Sequence, residues 1–167
     1  MSIDVLVSYL RKTGWREFSP GEFLGVAFDT IGEARIARND WFVLLKSMPE
    51  LDVAALDTWN DHYAHFWKRT PARMFSRGKY FVLILLVETV APDAAELFSS
   101  GDDLGLLENP EEITRGGGYP MLVIEDWKQI LMPKKVELWE PVRATEFARQ
   151  THRAVVDYLD SLPTSRA

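Results

Sequence analysis

The chain contains no cysteine among its 167 residues. This absence excludes disulfide bonds, thiolate zinc sites and cysteine nucleophiles. The fold does not need such crosslinks, because a chain of this length buries roughly 70 % of its unfolded surface. Apolar residues make up 47 % of the sequence and charged residues 26 %. These proportions predict a folded domain and exclude an intrinsically disordered chain.

Long hydrophobic runs are absent as well. The longest one, Tyr80 to Val87, is ended by Glu88 and is much shorter than the roughly 20 residues of a membrane-spanning helix. Residues 1–12 lack the basic start of a secretion signal, and Asp4 interrupts the apolar segment that such a signal requires. We therefore expect a cytoplasmic protein without a membrane segment.

Positive charge is scarce, since 19 basic residues against 25 acidic ones give a net charge of −6. A globally acidic chain is a poor general ligand for nucleic acid, although a local basic patch can still bind phosphate. Residues 67–79 contain five cations and no acid, whereas residues 80–114 contain eight acids and no base. Such segregation is typical of a surface that orients a partner. Together with the arginine of the glycine-rich segment 115–118, the candidate anion- or partner-binding residues are Lys68, Arg69, Arg73, Arg77, Lys79 and Arg115.

Motifs for hydrolysis or phosphate binding are also missing. No serine stands in a Gly-x-Ser-x-Gly elbow, and residues 115–118 lack the lysine-serine or lysine-threonine ending of a phosphate loop. Asp57, Asp61 and His65 share one face of a predicted helix, but that face is the polar one. One helix supplies too few converging ligands for zinc. We therefore predict neither a metal-ligand set nor a cofactor.

One acid-x-lysine triple, Asp126-Trp127-Lys128, follows a predicted strand. A carboxylate next to a lysine is compatible with a metal-dependent hydrolase, because the acid can hold a divalent ion and the lysine can stabilise developing charge. Short triples of this kind also arise by chance. Whether Asp126 and Lys128 form a site is left open by the sequence.

Apolar periodicity predicts the element order αβββαβ(α)β(β)α. Asn39-Asp40 is predicted as the two-residue loop of a tight hairpin. We expect a single α/β (α+β) domain over residues 1–162, with a flexible tail at 163–167. Its mixed sheet has about five to six strands, including an N-terminal hairpin region, and helices pack on it. The predicted helices are 2–13, 52–70 and 141–162, with a short one at 92–99 left open, and the predicted strands are 22–28, 33–38, 41–48, 79–90, 119–125 and 129–138.

The order helix, three strands, helix, strand over about residues 2–90 resembles the core of the restriction-endonuclease-like nucleases. The resemblance is architectural. It implies an acid on the second strand and an acid-x-lysine pair on the third, which hold a divalent metal and activate water. The third strand reads Leu44-Leu45-Lys46, so a leucine replaces the acid. A metal there would lose a hard oxygen ligand, and the resemblance implies a degenerate module that binds nucleic acid without cleaving it.

Six tryptophans are present, and tryptophan is enriched at the hot spots of protein interfaces. Three of them fall on the apolar faces of predicted elements, where we interpret them as core residues. The three that flank predicted turns are the interface candidates: Trp15, Trp127 and Trp139.

Three functional hypotheses follow from these observations. The first is a non-enzymatic cytoplasmic protein-interaction domain, acting as an accessory subunit, an inhibitor or an immunity-type partner. The second is the degenerate nuclease-like module that binds nucleic acid. The third is a metal-dependent hydrolase that uses Asp126 and Lys128. The charge segregation and the surplus of tryptophan favour the first.

Overall fold

Helices and strands follow one another along the chain as the apolar spacing predicts. A computed structural model describes residues 3–36, 39–69, 79–100, 117–133 and 142–163. Within these ranges the order αβββαβαββα confirms a single α+β domain built on a six-stranded mixed sheet. The helices are α1 (Ile3–Arg11), α2 (Val53–Arg69), α3 (Pro92–Ser100) and α4 (Val142–Ser161). The strands are β1 (Arg16–Phe23), β2 (Val26–Ile36), β3 (Asn39–Leu51), β4 (Lys79–Val90), β5 (Gly117–Ile124) and β6 (Gln129–Leu131).

The sheet has the strand order β1-β2-β3-β4-β5-β6. Its first three strands are antiparallel, β3, β4 and β5 are parallel, and β6 returns antiparallel to β5. Parallel neighbours require a long crossover connection, and α2 and α3 lie in the two crossovers. As a result, the carboxyl ends of β3, β4 and β5 lie at the same end of the sheet.

Helices cover both faces of the sheet. Along β3, Val43 and Leu45 belong to the core beneath α1 and α4, whereas Leu44 belongs to the core beneath α2 and α3. Side chains of a strand alternate between its two faces, so a strand covered on both sides must be apolar throughout. This explains the unbroken apolar run of β4. None of the helices in the described ranges is long and apolar enough to cross a membrane.

The first hairpin differs from the prediction. The sequence pattern predicts one strand over residues 22–28, but the chain turns at Leu24 and Gly25, and Phe23 pairs with Val26 across the turn. Leu24 has φ 49° and Gly25 has φ 84°. Glycine adopts this left-handed region easily, whereas leucine seldom does. Because leucine is not a typical turn residue, the sequence does not indicate a turn at this position.

The second hairpin is also displaced from the prediction. Ile36 pairs with Asn39 and Thr30 pairs with Leu45, so Asn39 and Asp40 are the first residues of β3. The prediction that they form the loop is wrong. The connecting residues are 37–38, which lie outside the described ranges, as do residues 164–167 of the predicted tail. Moving the loop by two residues changes every cross-strand pair and brings Asp29 beside Lys46.

Candidate functional site

The position at which the nuclease resemblance implies a metal site is occupied by a hydrogen-bonded ion pair. Asp29 on β2 accepts hydrogen bonds through Oδ2 from the backbone N–H and the hydroxyl of Ser47, at 2.7 and 3.0 Å. Its Oδ1 lies 3.5 Å from Nζ of Lys46. Sequence analysis missed Asp29 because this residue lies between the predicted strands 22–28 and 33–38, whereas the structure places it within β2. The correct register of the second hairpin would have identified it.

The ionised form of Asp29 is favoured by these contacts. Partial burial raises the pKa of this carboxyl group, but the Ser47 hydrogen bonds and the charge of Lys46 outweigh burial and lower the pKa below its ordinary value. The carboxylate therefore joins β2, near its start, to β3.

Leu44 stands two residues before Lys46, where the resemblance implies the second acid. Its side chain is fully buried in the core beneath α2 and α3. An ionised carboxylate at this depth would be expensive to desolvate. Within the described ranges, no three histidine, aspartate or glutamate side chains are close enough together to hold a metal ion.

A second site is formed by residues Glu125–Lys128, which connect β5 to β6 and are called the Trp127 turn below. The backbone N–H groups of Glu125 and Asp126 donate to the carbonyls of Val87 and Glu88 on β4, at 3.0 and 3.2 Å. The N–H of Lys128 donates back to the Glu125 carbonyl at 3.1 Å and closes the turn. Lys128 adopts φ 50°, the left-handed conformation that ends such a turn.

Side chains on both sides of Trp127 bind the turn to α4. The hydroxyl of Tyr158 donates to Oε1 of Glu125. The ammonium group of Lys128 donates to the carbonyl of Leu162, just beyond the end of α4, at 2.7 Å, and a cation is favourable at a helix carboxyl terminus. These two bonds fix the turn from its first and last residues. The Lys128 side chain therefore has a structural role in the turn, whereas Asp126 contributes through its backbone N–H and its side chain is exposed.

Trp127 itself projects from this fixed turn. It is 44 % exposed, the largest value among the bulky apolar residues in the described ranges. A groove of about 370 Å³ lies between β6 and α4, and Lys128 of the Trp127 turn is one of its lining residues. Val156 lines the groove and is 36 % exposed, a feature that sequence analysis missed. This α4–β6 groove is lined by Lys128, Ile130, Leu131, His152, Val156 and Asp160, among others.

The other two interface candidates have different outcomes. Trp15 is 1 % exposed, and its indole N–H donates to the hydroxyl of Thr151 at 3.0 Å. Its ring packs 4.9 Å from that of Phe147. Trp15 therefore joins α4 to the loop after α1. Because its side chain is buried within the domain, it is not accessible to a partner. Trp139 lies outside the described residues.

The candidate cations are not placed as a group. Lys68 and Arg69 are the last two residues of α2 and Lys79 is the first of β4, but the described part of the chain does not include their side chains. Arg73, Arg77 and Arg115 fall outside it altogether. Their proposed role in binding remains a prediction. By backbone pairing Lys79 lies beside Asp40, at the end of the sheet opposite to the Trp127 turn.

The three histidines differ in their burial. His62 is half-buried, with its ring 5.3 Å from that of Trp59, whereas His65 is exposed on α2. His152 is half-buried on α4, as predicted, and burial lowers its pKa.

No family model, curated protein or solved structure matches this chain. Its function therefore has to be inferred from its own geometry.

Proposed function

We propose that this chain is a non-enzymatic, cytoplasmic protein-interaction domain whose contact surface is centred on Trp127. Such a domain would act as an accessory subunit, an inhibitor or an immunity-type partner. The observation that carries the proposal is the presentation of Trp127 on a turn that is hydrogen-bonded to α4 at both ends.

Rigid presentation favours binding because a preorganised side chain loses little conformational entropy when a partner covers it. The apolar area of an indole is large, and exposing it to water has a free-energy cost that association removes. The adjoining α4–β6 groove adds the exposed Val156 and a concave surface into which a partner side chain can insert. Hot spots of interfaces are typically aromatic residues beside such pockets.

The β2–β3 position supports the same proposal from another direction. Asp29 is committed to Ser47 and Lys46, and Leu44 is part of the core. The two positions together supply only the carboxylate of Asp29, whereas two-acid metal chemistry requires a pair of carboxylates. Recognition is therefore better supported by the described residues than hydrolysis.

The test is site-specific photo-crosslinking in the cells that make the chain. In one variant Trp127 is replaced by a benzophenone amino acid, and in the matched control Val5 on α1 is replaced in the same way, since Val5 is 41 % exposed. We expect a discrete protein adduct from position 127 and none from position 5. Identical adduct patterns from the two positions would contradict the proposal.

A further inference from the structure

Several exposed side chains meet at one end of the sheet. β3, β4 and β5 run parallel and end there at Leu51, Val90 and Ile124. Because β2 is antiparallel to β3, the β1–β2 turn at Leu24 lies at the same end. We call the surface formed by the β1–β2 turn, the last residues of β3 and β4, and the Trp127 turn the carboxyl edge.

The charge of the carboxyl edge is negative. Glu50 is the second-last residue of β3, Glu88 lies near the end of β4, and Asp126 is bonded through its N–H to the carbonyl of Glu88. All three side chains are exposed. Neighbouring strands are about 5 Å apart, which is less than the Debye length of about 8 Å at physiological salt, whereas the outer two of these three strands are about 10 Å apart. Acids on neighbouring strands therefore reinforce one another, and all three contribute to the negative field that an approaching molecule meets.

One cation at this edge offsets part of that field, because Lys128 keeps its positive charge while it donates to a neutral carbonyl. Lys46 is paired with Asp29, and Lys128 donates to the Leu162 carbonyl beyond α4. Among the described residues, neither Glu50, Glu88 nor Asp126 takes part in an ion pair. The three carboxylates outnumber the positive charge of Lys128, so these four groups together are net negative.

Apolar side chains stand at the two ends of this acidic row. Trp127 lies at one end and Leu24, which is 40 % exposed, lies at the other. Leu24 belongs to neither core cluster, so its exposure is not compensated by packing within the domain. Strand spacing puts about 20 Å between the two turns, a span that about 13 residues of α-helix would cover.

We propose that the carboxyl edge docks a basic amphipathic segment of a partner protein. Its apolar side chains contact Trp127 and Leu24, and its lysines or arginines face Glu50, Glu88 and Asp126. This inference rests on the proposed function and adds the chemistry of the partner. Charge complementarity selects the partner, because an acidic protein or a nucleic acid backbone would be repelled by the same row of carboxylates.

The test uses two labelled peptides of 18 residues, each about 27 Å long as a helix. Both carry leucine on one face, with lysine on the other face of the first peptide and glutamate on that of the second. Fluorescence anisotropy measures their binding to the whole chain and to the triple variant E50K/E88K/D126K. A control triple, E33K/D57K/E146K, changes exposed acids away from the edge and raises the net charge of −6 by the same amount.

We expect the lysine peptide to bind and the glutamate peptide not to bind. The edge triple and W127A should each weaken binding at least tenfold, L24N several-fold, and the control triple less than twofold. Equal effects of the two triples, or equal binding of both peptides, would overturn the basic-partner inference. Failure of the lysine peptide to bind would also overturn the basic-partner inference. The proposed function is tested separately, by the crosslinking at position 127.

Discussion

Replacing Leu24 by asparagine should make the protein more stable, although an apolar side chain is lost. Leu24 has φ 49° at the tip of the β1–β2 hairpin, and a branched apolar residue pays about 1–2 kcal/mol in this left-handed region. Asparagine is several-fold enriched there because its short polar side chain bonds locally. Since Leu24 belongs to neither core cluster, little packing is lost. We expect a gain of about 0.5–1 kcal/mol in the free energy of unfolding.

Urea unfolding measures this gain. With a slope of about 2 kcal/mol per molar urea, the midpoint should rise by roughly 0.3–0.5 M. The melting temperature should rise by about 1–4 °C. The control is V5N, because Val5 is exposed to a similar extent at 41 % but lies in a regular helix, where valine and asparagine have similar propensities. A lower midpoint for L24N than for the wild type would refute the reasoning.

Three further predictions concern stability and pH. D29A should lower the free energy of unfolding by about 1–3 kcal/mol, because the Ser47 N–H and hydroxyl lose a charged acceptor; a change in urea midpoint within error would contradict the role of Asp29 as a tie between β2 and β3. L44E should cost more than about 3 kcal/mol and create no magnesium affinity by calorimetry, whereas L44M should cost under about 1.5 kcal/mol; a stable, magnesium-binding L44E would show that a metal site had been misread. Burial lowers the pKa of His152 in the folded protein, so on acidification this side chain takes up a proton first in the unfolded chain. The free energy of unfolding therefore falls as the pH drops below about 6.5, the pKa of an unperturbed histidine, and through the lower pKa of the folded protein. H152Q should lose less stability than the wild type between about pH 7.5 and about pH 5.5, and equal losses would show that His152 does not titrate in this way.

Element order was predictable because periodicity is local. Leu6, Val7 and Leu10 are spaced so that one face of α1 is apolar, and this face packs in the core beneath α1 and α4. The apolar run of β4 likewise reflects burial of that strand on both faces of the sheet. Two-sided burial of the central strands follows from the crossover helices α2 and α3 on one face and from α1 and α4 on the other. Neither feature depends on long-range register.

Register was not predictable, because it depends on the conformation of single turn residues. Leu24 adopts a conformation that asparagine or glycine normally occupies, and Asn39 has turn chemistry but lies in a strand. Asp29 was missed because it lies between the predicted strands 22–28 and 33–38, whereas β2 spans Val26–Ile36. The contacts of Trp15 with Thr151 join parts of the chain far apart in sequence, which no local pattern reveals.

Trp127 was predictable as an exposed residue because it flanks a turn, but its fixation was not. The bonds from Tyr158 to Glu125 and from Lys128 to Leu162 connect the turn to a helix that lies more than one element away. Those bonds distinguish a presented tryptophan from a tryptophan that is exposed by default. Sequence alone therefore gave the residue, and the tertiary structure gave the reason to assign it a role.

The most direct test of the central claim is the affinity of the purified chain for the protein crosslinked at position 127. Isothermal titration calorimetry compares the wild type with W127A and with V5A, after equal urea midpoints show that each variant is folded. A hot-spot tryptophan contributes about 2 kcal/mol or more, so W127A should weaken Kd by about 30-fold and V5A by less than about twofold. Equal Kd values for W127A and the wild type would contradict the account.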